Sequence, residues 1–406
     1  MRFYTAFALA AGAAAQHSKS PLPSSPGGAV PAGVRPPSTS GFDNATIQPA
    51  RGGLAVCVSG TVSVKASTSQ NLKFNFELPK NQSQVTNVFL RLFSNPSPFA
   101  QELVSGTQSA SGTYEIGATL CTPANNTTPD QVQLLTHGIG FDRYYWDFAP
   151  GYSYVDVAAQ YGHATFLYDR LGVGKSTKAD PLNVVQAAIE VEIAKVLAQK
   201  LRAGAFSNHA FSTVVGAGHS FGSIITQAVT SQYPEAIDAA ILTGFSTNST
   251  GTVPFNLAYS QAIASQNQPY RFGALNNGYL VDGGAIANEI CFFRAPGFDP
   301  EILSLAEATK STVTLGELFS ISAVTKPAAN WTKPVAVVNG NEDLAFCFGN
   351  CSAPVNKAEA VFPVLYPQAK TTGAYLAKNT GHGLNLHYSA VEAYHYIQDF
   401  IDRSVR

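Results

Sequence analysis

The stretch that most constrains this chain is residues 212–229. Ser212-Thr213-Val214-Val215-Gly216-Ala217 reads as a short buried strand, and Ser223-Ile224-Ile225-Thr226-Gln227-Ala228-Val229 as the opening of a helix that ends before Pro234. Between them stands Gly218-His219-Ser220-Phe221-Gly222. A G-x-S-x-G turn between a strand and a helix is a nucleophile elbow, which holds its serine hydroxyl proud of the sheet. The two glycines suit that bend, because a side chain at either would crowd the approach of strand and helix. The turn commits the chain to a strand that feeds directly into a covering helix.

Alternation on both sides extends this unit. Residues 131–136 predict a strand that runs into His137-Gly138-Ile139-Gly140, a glycine-rich turn whose backbone N–H groups can face an oxyanion. Residues 144–161 predict a broken helical crossover and 164–168 another strand. Residues 182–203 predict an amphipathic helix, with Val184, Val185, Ala188, Val191, Ile193, Ala194, Leu197 and Leu201 as its apolar positions. Strands at 239–244, 335–340 and 374–377 follow the elbow helix, and a helix over 389–403 closes the chain. Such alternation is the signature of an α/β fold, a mostly parallel sheet covered on both faces.

The alternation breaks over 246–333, which is rich in aromatics such as Phe255, Tyr259, Phe292 and Phe293 and in Asn/Gly turns. So long an insertion directly after a core strand predicts a cap over the strand ends. Upstream, 54–64, 72–78, 88–93 and 112–120 predict strands of an antiparallel N-terminal region. Residues 16–51, rich in Pro, Ser and Gly, have almost no apolar periodicity and predict a linker. One domain over 52–406 is expected, carrying the cap.

The first fifteen residues hold one cation at Arg2, an apolar stretch from Phe3 to Ala11, and Ala13-Ala14-Ala15 before Gln16. That is the pattern of a secretory signal with a small-residue cleavage site. No other stretch approaches the roughly 18 to 20 apolar residues of a membrane span. Five cysteines suit export: Cys347 and Cys351 share one short loop, Cys57 and Cys121 bracket the N-terminal strands, and Cys291 is left over. Glycosylation sequons at Asn44, Asn81, Asn125, Asn126, Asn248, Asn330 and Asn350 agree with that route. A net charge of -1, with 13% charged residues, recommends neither nucleic acid nor a membrane surface as a partner.

Open parallel sheets place ligands beyond the carboxyl ends of their strands. Three of those ends carry reactive side chains: Ser220, Asp343 in Asn341-Glu342-Asp343, and His382 in Gly381-His382-Gly383. Together they make a serine nucleophile, a base and an acid that orients the base. Glu342 is the rival acid. His387 fits a cap or packing role, His219 a structural one, and His137 the support of the glycine-rich turn. Gly174-Lys175-Ser176 resembles the end of a phosphate-binding loop, but the cradle G-x-x-x-x-G-K-[ST] opens on a glycine where this chain has Asp169.

The sequence resembles the alpha/beta-hydrolase superfamily, and in particular its secreted fungal members. The likeness rests on His137-Gly138-Ile139-Gly140 followed by Tyr145-Trp146-Asp147, on Asp169-Arg170-Leu171-Gly172-Val173-Gly174-Lys175-Ser176, on the elbow, and on Gly381-His382-Gly383-Leu384-Asn385-Leu386-His387. The resemblance implies a triad of Ser220, Asp343 and His382, with the backbone N–H groups of Ile139 and Phe221 as the oxyanion hole. It implies an exported esterase acting on a small-molecule ester or lactone, apolar or aromatic to suit the cap, without metal or organic cofactor. Two other functions are consistent with the same residues. One is an aminopeptidase-like amide hydrolase, with an amine anchor among Asp282, Glu289, Asp299 and Glu301. The other is a binding protein on the same fold.

Overall fold

A computed structural model describes residues 29–405, so the expected signal segment lies outside the described residues. Among the described residues twelve strands run in chain order as β1 (Asp43–Pro49), β2 (Ala55–Phe74), β3 (Val104–Pro123), β4 (Gln131–Thr136), β5 (Ala164–Tyr168), β6 (Thr213–His219), β7 (Ala239–Thr243), β8 (Ala262–Ile263), β9 (Tyr279–Val281), β10 (Val313–Thr314), β11 (Val335–Gly340) and β12 (Thr372–Ala377). Nine of them form one sheet in the order β1-β2-β3-β5-β4-β6-β7-β11-β12. From β5 to β12 every pairing is parallel, and β1, β2 and β3 add an antiparallel wing.

β7 and β11 are almost wholly apolar because helices cover both faces of the parallel sheet. Val335, Ala336, Val337 and Val338 are all buried, as are Ala239 to Leu242. Helix Ala187–Arg202 packs Val191, Ile193, Ala194, Leu197 and Leu201 into the core, positions that the helical period marked, and Ile189 beside them, which it did not.

Two expectations in the N-terminal part are corrected. The stretch predicted as linker contains β1, which pairs antiparallel with β2 along Thr46↔Ser59 to Pro49↔Val56. Its residues are mostly exposed, so the burial alternation that would have revealed a strand is weak. Of residues 88–93, predicted as a strand, 88–92 belong to helix Gln82–Leu92, which Phe93 ends and Asn81 caps with a side chain that accepts from the Gln84 N–H. Val85, Val88 and Phe89 are its buried residues, at the i, i+3, i+4 spacing of one helical face.

β2 and β3 are also longer than expected. They pair from Ala55↔Pro123 to Phe74↔Val104, whereas β3 meets β5 only over Ala118 to Cys121. The remainder is a two-stranded ribbon that carries residues 75–103 at its end. Phe74 and Phe76 each set their rings edge-on against Phe319 of the β7–β11 insertion, at 5.5 Å between centroids. Gln82 donates to the Gln261 carbonyl and accepts from the Ile263 N–H. The two insertions are thereby joined.

Both cysteine pairs are disulfides: Cys57–Cys121 crosses β2 and β3, Cys347–Cys351 closes a short loop after β11, and Cys291 is free and buried. No helix among the described residues is long and apolar enough to cross a membrane.

One buried arginine ties these layers together. Arg170, fully buried in the loop after β5, pairs with Glu190 of helix Ala187–Arg202 and with Glu317 of the insertion. Its guanidinium also lies 4.5 Å from the Phe221 ring centroid at the start of the elbow helix. Removing one member of a buried ionic cluster leaves the others uncompensated. Arg170→Met should therefore lower stability by about 3 to 5 kcal/mol in a urea titration.

Candidate active site

Ser220 joins β6 to helix Phe221–Gln232 with φ 55° and ψ -116°. A non-glycine residue at positive φ is strained and survives only where its surroundings fix it. They do so here by close approach. A Cβ on Gly218 would stand 2.2 Å from the Gly222 carbonyl oxygen, and one on Gly222 would stand 2.1 Å from the Thr136 carbonyl oxygen. Both glycines are thus required by the backbone, as the elbow pattern implied.

Three strand ends converge on this serine. Asp343 follows β11 and His382 follows β12. The Ser220 hydroxyl donates to His382 Nε2 at 2.8 Å, and His382 Nδ1–H donates to Asp343 Oδ2 at 2.7 Å. Asp343 Oδ1 accepts from the Phe346 N–H at 2.9 Å, so both carboxylate oxygens are held. Asp343 is fully buried, His382 is 1% exposed and Ser220 7% exposed. Glu342 turns instead toward Arg294 and pairs with it near the surface. The structure therefore brings Asp343, not Glu342, to His382.

The glycine-rich turn after β4 packs beside the elbow. A Cβ on Gly138 would lie 2.9 Å from that of Ser220, which leaves Ile139 next to the nucleophile. Ile139 and Ser220 line one cavity. The Phe221 N–H sits in the first turn of its helix, where amides have no intrahelical acceptor. Among the described residues the Ile139 N–H also has no acceptor. Two free donors beside a serine are the geometry that an oxyanion requires.

The remaining histidines frame this line. His137 donates Nδ1–H to the Gly138 carbonyl and accepts the Arg170 N–H at Nε2, so it supports the turn as expected. His219 stacks on Tyr145 at 4.4 Å and lies 5.0 Å from His382. Burial, then the nearness of Arg170 for His137 and of His382 for His219, holds both rings well below the usual imidazole range. Asn385 donates to the Tyr145 hydroxyl and carbonyl, which joins the two motif segments.

His387 has a role that the sequence reading did not assign. Its Nε2 accepts from the Gly381 and Arg294 N–H groups, and its Nδ1–H donates to the Gly383 carbonyl. It thereby brackets the tripeptide that carries His382. The only signal in the sequence was its place at the end of the Gly381–His387 motif.

Asp169 settles the Gly174-Lys175-Ser176 segment. Its carboxylate accepts from the Lys175 N–H and pairs with Arg143, and a Cβ on Gly174 would collide with it. An internal carboxylate thus occupies the place of a phosphate. Of the acids considered as amine anchors, Asp282 is buried against Lys310 and Asp299 caps helix Pro300–Thr309. Glu301 lies in the first turn of that helix, and Glu289 lines a cavity next to His382. No group of His, Cys, Asp and Glu among the described residues is arranged to hold a metal ion.

A strained serine after β6, a histidine after β12 and an acid after β11 thus meet in one hydrogen-bonded line at the carboxyl ends of a mostly parallel sheet. The chain belongs to the alpha/beta hydrolase family, which it matches over residues 133–394. Solved structures similar to it include an esterase from Thermogutta terrifontis, at 14% identity and TM-score 0.48, covering 72% of this chain and 94% of that one. A monoacylglycerol lipase from Paleococcus ferrophilus is similar at 15% identity and TM-score 0.48, covering 68% and 96%. An alpha/beta hydrolase, GrgF, from Penicillium sp. sh18 is similar at 16% identity and TM-score 0.48, covering 72% and 94%. Identities at this level say nothing of substrate. A comparison with curated proteins finds no match.

Burial pushes the His387 ring down to about 4 from its ordinary 6.5. Its neutral form therefore contributes stability that is fully present above 6.5 and is lost as pH falls through 4. In that window the native protein should lose up to about 1.4 kcal/mol per pH unit relative to His387→Gln, measured by denaturant titration at each pH.

Proposed function

We propose that this hydrolase is an exported serine esterase that cleaves a carboxylic ester or lactone of an apolar or aromatic small molecule. The observation that carries the reading is the unbroken line Asp343 Oδ2, His382 Nδ1, His382 Nε2, Ser220 Oγ, with bonds of 2.7 and 2.8 Å. His382 takes the Ser220 proton as Oγ attacks the acyl carbon, and Asp343 fixes the ring tautomer and stabilises the imidazolium. The Ile139 and Phe221 N–H groups receive the oxyanion, each donor contributing about 3 kcal/mol. When the C–O bond to the alcohol breaks, His382 returns its proton to the leaving oxygen. Water then attacks the acyl-enzyme with His382 as base, releasing the acid and restoring the Ser220 hydroxyl.

Export is supported by the leader pattern at 1–15 and by the two disulfides, which persist in oxidising compartments. The aromatic insertion acts as the cap over the site. Phe255 and Phe292 of that insertion lie 5.5 and 5.9 Å from the His382 ring.

Incubation with a fluorophosphonate, followed by peptide mapping, should place the adduct on Ser220, with no labelling of Ser220→Ala. Asp343→Asn should lower kcat about ten-thousandfold by presenting the wrong tautomer, with the fold retained by circular dichroism. Turnover of aminoacyl anilides in preference to nitrophenyl esters would replace the esterase reading with the peptidase one. A folded protein that neither labels nor turns over any ester would remove it altogether.

A further inference from the structure

The cavity that opens onto Ser220 has an origin that the position of the cap does not explain. It encloses about 380 Å³. Part of its lining comes from the β7–β11 insertion, through Phe255, Leu318 and Phe319, and part from the β2–β3 excursion, through Phe89, Phe93 and Leu103. Among the described residues no charged side chain lines it. Phe89 and Leu103 are buried, and the excursion is fastened to the insertion by the Gln82 hydrogen bonds and the Phe74, Phe76 and Phe319 rings. The wall is therefore built in two halves from distant parts of the chain, locked edge to edge.

Orientation within the site follows from which groups face which space. Ser220 and Ile139 line this chamber, whereas His382 does not. His382 instead lines a second cavity of about 410 Å³ together with Glu289, Arg294 and Glu342. In ester cleavage the leaving oxygen must meet the base, while the acyl carbon sits between the nucleophile and the oxyanion donors. The chamber without charged side chains thus falls on the acyl side, and the cavity that carries Glu289, Arg294 and Glu342 on the side of the alcohol.

Resting on the esterase reading above, we propose that the chamber holds the acyl half of the substrate as an aliphatic chain, and that the β2–β3 excursion sets the length it accepts. An amino-acid acyl group does not fit this description, because its ammonium would enter a space without a counter-charge. Each methylene buried in such a chamber raises kcat/KM by about fourfold until the chamber is full. Half-buried Phe93 and exposed Ala100 are the wall positions where a change of size alters that limit.

The test is a ladder of nitrophenyl esters with acyl chains from acetate to decanoate, beside a ladder of acetate esters with varied alcohols. For the native protein the acyl ladder should climb and then fall. In Ala100→Trp the optimum should move to shorter acyl chains, and the ratio of kcat/KM for long over short chains should drop by about tenfold. Phe93→Ala should move the ratio the other way, and neither variant should reorder the alcohol ladder. Two opposite displacements from one wall are not expected of general damage, and melting curves confirm that each variant is folded. An unmoved acyl ladder in both folded variants, or a displacement confined to the alcohol ladder, overturns the proposal. If Ser220 still takes the fluorophosphonate in that case, the esterase reading survives alone. Failure of both labelling and turnover withdraws the two together.

Discussion

The site depends first on the backbone of Ser220, held at positive φ at a cost of about 1 to 3 kcal/mol. Hydrogen bonds from the neighbouring strand meet that cost. The Ser220 N–H donates to the Thr243 carbonyl at 2.9 Å, and the Ser223 hydroxyl reaches the carbonyls of Gly218 and Thr243, each at 2.8 Å. Gly222 rests against β4, so the bend is gripped from both adjacent strands. Without the parallel neighbours β4 and β7 the same pentapeptide would relax, and the hydroxyl would lose its aim. The sheet is thus a clamp for one strained residue as much as a scaffold.

Around that clamp the motif residues hold one another rather than a ligand. Tyr145 stacks on His219 and receives Asn385, His137 receives the Arg170 N–H, and His387 grips both glycines beside His382. Their neutrality has an electrostatic use in the proposed mechanism. A positive charge forms on His382 during attack, and a protonated His219 5.0 Å away would oppose it. Burial keeps His219 uncharged, so Asp343 acts on the imidazolium without a competitor.

The sequence disclosed the parts of this arrangement whose physics is local. β6, β7 and β11 are buried on both faces and read as unbroken apolar runs, so the loops at their ends, and with them Ser220 and Asp343, were legible. β1 was not, because an edge strand with exposed side chains carries little pattern and its stretch is dominated by Pro, Ser and Gly. Val88-Phe89-Leu90 suggests a strand although it is helical, because a short apolar run fits strand and helix alike. Asn81 before Val85, Val88 and Phe89 held the deciding signal, a helix cap ahead of a helical face. The joining of residues 75–103 to the β7–β11 insertion was not readable, since it arises from contacts such as Gln82 with Gln261, 179 residues apart.

That separation in the chain has a consequence for biosynthesis. Ser220 and His382 are 162 residues apart, and β12, which delivers the histidine, forms the far edge of the sheet. At a synthesis rate of about 5 to 20 residues per second, the serine leaves the ribosome roughly 10 to 30 s before its base. During that interval the strained turn lacks the parallel partner β7 until it emerges, and later β11 and β12 as well. In the proposed mechanism a nascent or truncated chain therefore carries the serine in an inert form, and its chemistry begins only when the last strands dock.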